Sequence, residues 1–98
     1  MLGVREDSPA AAAYDAAVEH WARADDAWQG VTWTLAHDPE APDSKPLRED
    51  GKLRTITSEG ARSIGLPTLT VVYEYDAHYI TIRDARFTDA KATFAGRA

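Results

Sequence analysis

The stretch LPTLTVVYEYDAHYITIRDARF, residues 66–87, decides the fold because it reads as two β-strands joined by a short polar turn. Residues Thr68–Tyr75 are mostly β-branched or aromatic, and such residues favour strands. Apolar side chains alternate on one face of this strand, at Leu69, Val71, Tyr73 and Tyr75. Residues 76–78 turn the chain, and residues 79–83 return beside the first strand. The segment therefore predicts an antiparallel hairpin.

Two further strands are expected near this hairpin. Residues 53–57 (LRTIT) follow a turn at Asp50-Gly51 and have strand composition, so they extend the hairpin to a three-strand meander. Residues 2–5 are expected to form a short edge strand. Residues 39–46 (PEAPDSKP) contain three prolines and are expected to form a linker without regular structure.

The front half of the chain has a helical pattern. Ser8 followed by Pro9 favours a helix start, and large apolar side chains then recur every seventh residue, at Tyr14, Trp21, Trp28 and Leu35. One helix over residues 9–37 would be about 43 Å long, whereas a domain of this size has a radius of gyration of about 13 Å. We therefore predict a helical hairpin that breaks near residues 23–26. A single helix paired with a second copy of the chain, as a homodimer, is the competing expectation.

Together these elements predict an α+β fold, with the helical hairpin packed on a small antiparallel sheet. Residues 1–89 are expected to form one domain, and the alanine-rich residues 90–98 a frayed or disordered tail. The chain has no cysteine and no apolar run near the roughly 20 residues that span a bilayer. We therefore expect a cytoplasmic protein without disulfides or membrane contact.

Charge is distributed unevenly along the chain. The net charge is −5, but residues 1–44 contain nine acidic and two basic residues, and residues 45–98 contain seven acidic and nine basic residues. The overall acidity argues against non-specific binding of nucleic acid by the whole molecule. A local basic surface on the second half remains open, beside the alternative of a solvated acidic helix face that has no partner.

No motif for metal, nucleotide or nucleophilic chemistry is present. The three histidines have no metal-ligand spacing, and no serine lies in a GxSxG elbow. The segment GARSIG at residues 60–65 lacks the lysine and hydroxyl of a phosphate loop. We therefore expect no cofactor and no metal.

The arginines remain as candidate functional residues. Arg54 lies on the first strand of the meander, and Arg83 and Arg86 lie at the end of the last, so we expect all three to border one region of the sheet. Lys45 and Arg48 precede them in the linker. Arginine suits bidentate recognition of phosphate or carboxylate, which predicts an anion-binding patch. The alternative is that these are surface arginines with ordinary ion-pair partners, namely Glu49, Asp50, Glu59 and Asp84.

The order of these elements resembles the RelE/ParE superfamily of bacterial type II toxins. The best-matched segments are residues 45–48 (KPLR), 53–57 and 70–86. The resemblance implies a β-α-α-β-β-β fold and a cognate antitoxin that blocks the toxin. It also implies one of two targets: RelE-like members cleave messenger RNA on the ribosome, and ParE-like members inhibit DNA gyrase.

The resemblance also implies roles for individual residues. Arg54 and Arg86 match basic residues that would stabilise the scissile phosphate, with Lys45, Arg48 and Arg83 as target-binding residues. Thr70 and Phe87 stand where nuclease members have an arginine and a tyrosine or histidine. We therefore predict a toxin-like protein that binds gyrase or the ribosome. The alternatives are a non-toxic interaction module of the same fold and an mRNA endoribonuclease with an atypical site.

Overall fold

The computed structural model describes residues 1–49 and 52–90 and places two helices on one face of a five-stranded sheet. The helices are α1 (Ser8–His20) and α2 (Ala24–His37). The strands are β1 (Gly3–Glu6), β2 (Lys45–Pro46), β3 (Arg54–Ser58), β4 (Thr68–Tyr75) and β5 (Tyr79–Thr88). The predicted α+β class is confirmed. The turn predicted at residues 50–51 and residues 91–98 of the predicted tail lie outside the described residues. Ala90, the first residue of that predicted tail, is buried.

The sheet has the strand order β1-β5-β4-β3-β2. Strands β3, β4 and β5 form the predicted antiparallel meander. Strand β1 lies parallel to β5, with Val4 beside Ile80. The sheet is therefore mixed, and the prediction of an antiparallel sheet is wrong for this edge. After β1, the chain passes through both helices and strands β2, β3 and β4 before it enters β5 beside β1. Such a long connection allows β1 and β5 to run in the same direction.

The predicted helical hairpin is confirmed, but its break falls earlier than expected, between His20 and Ala24. Trp21 leaves the helix with extended backbone angles, φ −120° and ψ 131°. In this conformation its indole N–H donates a hydrogen bond to Asp89 at 2.9 Å, and its ring lies 6.3 Å from that of Phe87. Trp21, the residue at which α1 ends, therefore contacts residues at the end of β5 and just after it. Within the described residues, neither helix is long and apolar enough to cross a membrane.

The core lies between the helices and the inner face of the sheet. Leu69, Val71 and Tyr73 of β4 are completely buried, as are Ile80 and Ile82 of β5. Their partners from α2 include Trp28, Val31 and Leu35. Removal of these apolar side chains from water is the main source of stability in such a layered domain.

A row of aromatic rings explains the seven-residue spacing of the sequence. Tyr14 lies 5.3 Å from Trp28, Trp28 lies 6.2 Å from Phe87, and Phe87 lies 6.3 Å from Trp21. Phe87 of β5 therefore lies between the two tryptophans. This row of aromatic rings packs the two helices against each other and onto β5.

The register between β4 and β5 contains a β-bulge at Arg83. Val72 pairs with Asp84, whereas the next residue, Tyr73, pairs with Ile82, so Arg83 is the extra residue. A bulge of this kind changes which face the following side chains occupy. After it, Ala85 and Phe87 point inward, and Asp84 and Arg86 point outward.

The β4–β5 turn is stabilised by Asp76. Its carboxylate accepts hydrogen bonds from the backbone N–H groups of His78 at 2.7 Å and Tyr79 at 2.8 Å. These bonds favour the charged carboxylate and lower the pKa of Asp76. The predicted turn at residues 76–78 is therefore confirmed.

Gly60 lies where two backbone segments touch, and this gives a test of the fold. A Cβ at this position would meet the carbonyl oxygen of Leu66 and the carbonyl carbon of Pro67. Gly60→Ala is therefore expected to lower the free energy of unfolding by about 1–3 kcal/mol, measured by urea denaturation. Gly30→Ala is the matched control, because a Cβ there meets nothing within 4 Å. In helix α2 that change should raise stability by about 0.5–1 kcal/mol, and a similar effect of both variants would contradict this packing.

Candidate functional site

The face of the sheet that points away from both helices is the candidate functional site, here called the open face. Its residues alternate along β3, β4 and β5 with those that pack against the helices. Six threonines lie on it: Thr55, Thr57, Thr68, Thr70, Thr81 and Thr88. Threonine suits this position because its branched side chain favours a strand and its hydroxyl is available for hydrogen bonds.

Thr57, Thr70 and Arg86 lie side by side across the open face. The hydroxyls of Thr57 and Thr70 are 2.9 Å apart and share a hydrogen bond. Only one of them donates in that bond, so the other keeps its hydrogen for a ligand. Arg86 is exposed, makes no ion pair within the described part of the chain, and borders a hollow of about 210 Å³ together with Thr70, Val72 and Asp84.

Lys45 lies on the open face beside Thr55, two residues along β3 from Thr57. It pairs with Thr55 across β2 and β3 and lines a broad hollow of about 750 Å³ with Thr57 and Glu59. No described carboxylate forms an ion pair with Lys45. Two cations without an ion-pair partner among the described residues therefore lie near a pair of hydroxyls, and this combination suits a phosphate or carboxylate group. Carboxylates also line both hollows: Asp84 lies in the one at Arg86, and Asp43 and Glu59 lie in the one at Lys45.

Arg83 also lies toward the open face, but its charge is already matched. Its guanidinium contacts Asp7 at 3.0 Å and Glu74 at 3.4 Å. Nearby, the guanidinium of Arg5 lies 4.0 Å from the ring centre of Tyr79. The hollow at this end is lined by two arginines and four carboxylates (Glu6, Asp7, Glu74 and Asp76), so it is acidic and not a cationic patch.

Arg54 lies on the inner face, opposite Tyr73 and away from Arg86. Its guanidinium donates to the hydroxyl of the buried Ser44 at 2.8 Å and to the Ser44 carbonyl at 3.4 Å. The expectation that Arg54 and Arg86 border one region is therefore wrong. The bulge at Arg83 is the physical reason, because it turns Arg86 outward from the face that Ile80 and Ile82 share.

Arg54 belongs to a set of contacts that fix the linker after α2, here called the linker clamp. Tyr73 donates to the carbonyl of Pro39 at 2.5 Å, and Tyr75 donates to the carboxylate of Glu40. With the bonds from Arg54 to Ser44, three inner-face side chains hold residues 39–44 against the sheet. The contacts assign Arg54 a structural role.

The remaining candidates are separate from these groups. Arg48 is exposed just after β2, and no described residue is bonded to it. Phe87 is part of the aromatic row on the inner face, and Thr70 is at the centre of the open face. The arginine ion pairs of the described residues use Asp7, Asp26 and Glu74, and none of those expected from the sequence.

The sequence analysis did not single out Thr57 and Thr70 as a pair. The available signal was the repeated Thr-x-Thr of residues 55–57 and 68–70, which places two hydroxyls on one face of each of two strands. Their contact depends on the β3–β4 register, which the repeat itself does not define.

The phenols whose pKa is shifted do not lie on the open face. The two phenols with a raised pKa are Tyr14 and Tyr75, and each donates a hydrogen bond to a carboxylate, Asp25 and Glu40 respectively. Such a bond favours the neutral phenol, which makes it a poorer base near neutral pH. No group of three or more metal-binding side chains occurs among the described residues.

Comparison of the chain with family models, with curated proteins and with solved structures gave no significant match.

The structure predicts different roles for two arginines that the sequence treats alike. Arg54→Ala leaves the buried Ser44 without its hydrogen-bond donors and is expected to lower the free energy of unfolding by about 1–3 kcal/mol. Arg86→Ala removes an exposed side chain and should change stability by less than about 0.5 kcal/mol. Urea denaturation of both variants tests this. Equal stability of the two variants would contradict the linker clamp.

The linker clamp also predicts the behaviour of Tyr75 in alkali. The hydrogen bond to Glu40 raises the pKa of Tyr75, so its stabilising effect is complete below pH 10 and is lost as the pH rises through the raised value. In an absorbance titration of tyrosinate, Tyr75→Phe should remove one high-pH ionisation. Tyr14→Phe should remove a separate one. An unchanged high-pH part of the curve in Tyr75→Phe would exclude the bond to Glu40.

Proposed function

We propose that this protein is a toxin-like component of a type II toxin–antitoxin system, related in fold to the RelE/ParE superfamily. In this proposal it binds a macromolecular target, gyrase or the ribosome, and a cognate antitoxin neutralises it. Support comes from the element order: a first strand, a helical pair and a meander whose last strand carries Arg86. The helical pair lies on one side of the sheet, so the other side is open to a large partner.

The single observation that carries the binding role is the placement of Lys45 and Arg86 on the same open face as the Thr57–Thr70 hydroxyl pair. Arg86 lies beside Thr70 and Lys45 lies beside Thr55, and neither cation has an ion-pair partner among the described residues. A flat face of this kind fits a phosphate of a nucleic acid or a carboxylate of a protein target. Arg83 contributes less because Asp7 and Glu74 neutralise it.

Binding is favoured over cleavage by the separation of the two arginines. A nuclease that uses Arg54 and Arg86 together would need both guanidinium groups at one phosphate. Here they lie on opposite faces of the sheet, and Arg54 is bonded to Ser44. Thr70 and Phe87 occupy the places of the remaining nuclease groups and supply neither a guanidinium nor a phenol.

Induced expression in bacteria without an antitoxin tests the proposal. The unmodified protein is expected to inhibit growth, and Lys45→Ala with Arg86→Ala should reduce plating inhibition by about ten-fold or more, since charged contacts at an interface are each worth a few kcal/mol. Arg62→Ala is the matched control, because Arg62 is an exposed arginine in the 3₁₀ turn at Arg62–Ile64.

The target is then identified by two assays. Loss of DNA supercoiling in the presence of gyrase would indicate the gyrase target, and inhibition of translation without mapped messenger cuts would indicate the ribosome. Messenger cleavage that depends on Arg86 would support the endoribonuclease alternative. Growth at the normal rate on full expression would exclude the toxin role and favour the non-toxic interaction module.

A further inference from the structure

Lys45, one of the two cations of the open face, lies on a strand of only two residues. This strand, β2, is at the edge of the sheet, where Lys45 pairs with Thr55 and Pro46 pairs with Arg54. Pro46 has no N–H to donate across the pairing. A strand pair this short is marginal by itself, so side-chain contacts contribute much of what fixes it in place.

The residue before β2 is held from the other face of the sheet. The Nε and Nη2 atoms of Arg54 both donate to the Ser44 hydroxyl, at 3.3 and 2.8 Å. Nη2 also lies 3.4 Å from the Ser44 carbonyl oxygen. That oxygen belongs to the peptide group that joins Ser44 to Lys45. Because a peptide group is planar, restraint of its oxygen also restrains the Cα of Lys45.

The side chains of Ser44 and Lys45 point to opposite faces, as neighbours in an extended chain do. Ser44 is buried and bonded to an inner-face arginine, whereas Lys45 is exposed and lies beside Thr55 on the open face. A slip of this segment by one residue would exchange the two faces and remove the ammonium group from the open face. The bonds to Ser44 therefore act on the face that Lys45 occupies.

The other two contacts of the linker clamp are more distant from Lys45. They hold residues 39–40, five or six positions before it. Between those residues and β2 the chain turns, with the N–H of Ser44 bonded to the carbonyl of Ala41 at 2.8 Å. Arg54 is therefore the member of the clamp that lies next to the open-face cation.

We propose that Arg54 is a positioning residue for the anion-binding face: from the inner side of the sheet it holds the peptide group between Ser44 and Lys45, and this places the Lys45 ammonium group on the open face. Arg54 itself does not touch the anion, because it lies on the opposite face. The inference rests on the proposed function in one respect, namely that Lys45 contacts an anion. Loss of Arg54 then weakens anion binding only through Lys45.

Inorganic tripolyphosphate is the probe for this proposal. Its dissociation constant for the full chain is measured from the shifts of the Thr57 and Thr70 amide signals in ¹H–¹⁵N spectra. Lys45→Ala is expected to raise the dissociation constant about three-fold, as for one exposed charge contact. Arg54→Ala should raise it by a similar factor. The double variant should bind no more weakly than Lys45→Ala alone, because Arg54 then has no lysine to position.

Two further variants separate positioning from charge. Ser44→Ala keeps every charge but removes the hydroxyl that Arg54 contacts, so it should also weaken binding, and only while Lys45 is present. It is the milder change and serves as the test should Arg54→Ala not fold. Arg62→Ala is the matched control, because it removes one exposed positive charge in the 3₁₀ turn. That variant should bind within about two-fold of the unmodified chain.

Amide hydrogen exchange reports the attachment of β2 without any ligand. The N–H of Leu47, directly after β2, donates to the carbonyl of Leu53 at 2.8 Å. Arg54→Ala is expected to speed exchange of this amide about five-fold or more, since β2 loses part of what holds it. Lys45→Ala should change the rate by less than about two-fold, because the lysine side chain is the group that is positioned and not the one that holds the strand.

Several results would overturn the proposal. They are an unchanged dissociation constant in Lys45→Ala or in Arg54→Ala, effects of these two variants that multiply in the double variant, and an unchanged exchange rate of Leu47 in Arg54→Ala. Equal weakening by Arg62→Ala and Arg54→Ala would also overturn it, since net charge would then explain both.

The positioning role and the proposed function can fail separately. The expected tripolyphosphate and exchange results, without growth inhibition by the unmodified protein, would exclude the toxin role alone. Growth inhibition that Lys45→Ala reduces and Arg54→Ala does not would exclude the positioning role alone.

Discussion

The alternation along β4 is the constraint on which the rest of the structure depends. Leu69, Val71 and Tyr73 are completely buried under the helices, and a register slip of one residue would expose all three. Tyr73 adds a polar requirement, because a buried hydroxyl needs a hydrogen-bond partner. The carbonyl of Pro39 provides it. The central strand therefore fixes the register of the sheet and also the path of the linker.

The helices are bound to the sheet by aromatic packing at one end and by the linker at the other. Phe87 lies between Trp21 and Trp28, so the last strand holds both helices. At the far end, Arg54 and Tyr75 hold residues 40–44 through hydrogen bonds. The sequence resemblance gave Arg54 a role at a phosphate, but its contacts are those of a residue that stabilises a loop. A basic residue on a strand has to be assigned to a face before it is assigned a function.

The same layering gives the molecule two chemically different sides. The helix layer is acidic and has an apolar hollow at Trp21, whereas the open face has threonines and two cations, Lys45 and Arg86, that form no ion pair with a described residue.

The sequence by itself determined both helices and most of the strands, but not β2 (Lys45–Pro46), which lies in the linker expected to have no regular structure. Alternation in residues 68–75 predicts β4, the seven-residue stripe predicts the helical pair, and Lys45 and Arg86 were already candidates for anion binding. Only the tertiary structure decided three things: the parallel position of β1, the contact of Thr57 with Thr70, and the separation of Arg54 from Arg86. Strict alternation would place Arg86 on the face of Ile80 and Ile82, which is also the face of Arg54. The bulge at Arg83 places Arg86 on the open face instead. The bulge depends on how β5 pairs with β4, and no local pattern in residues 79–88 encodes that pairing.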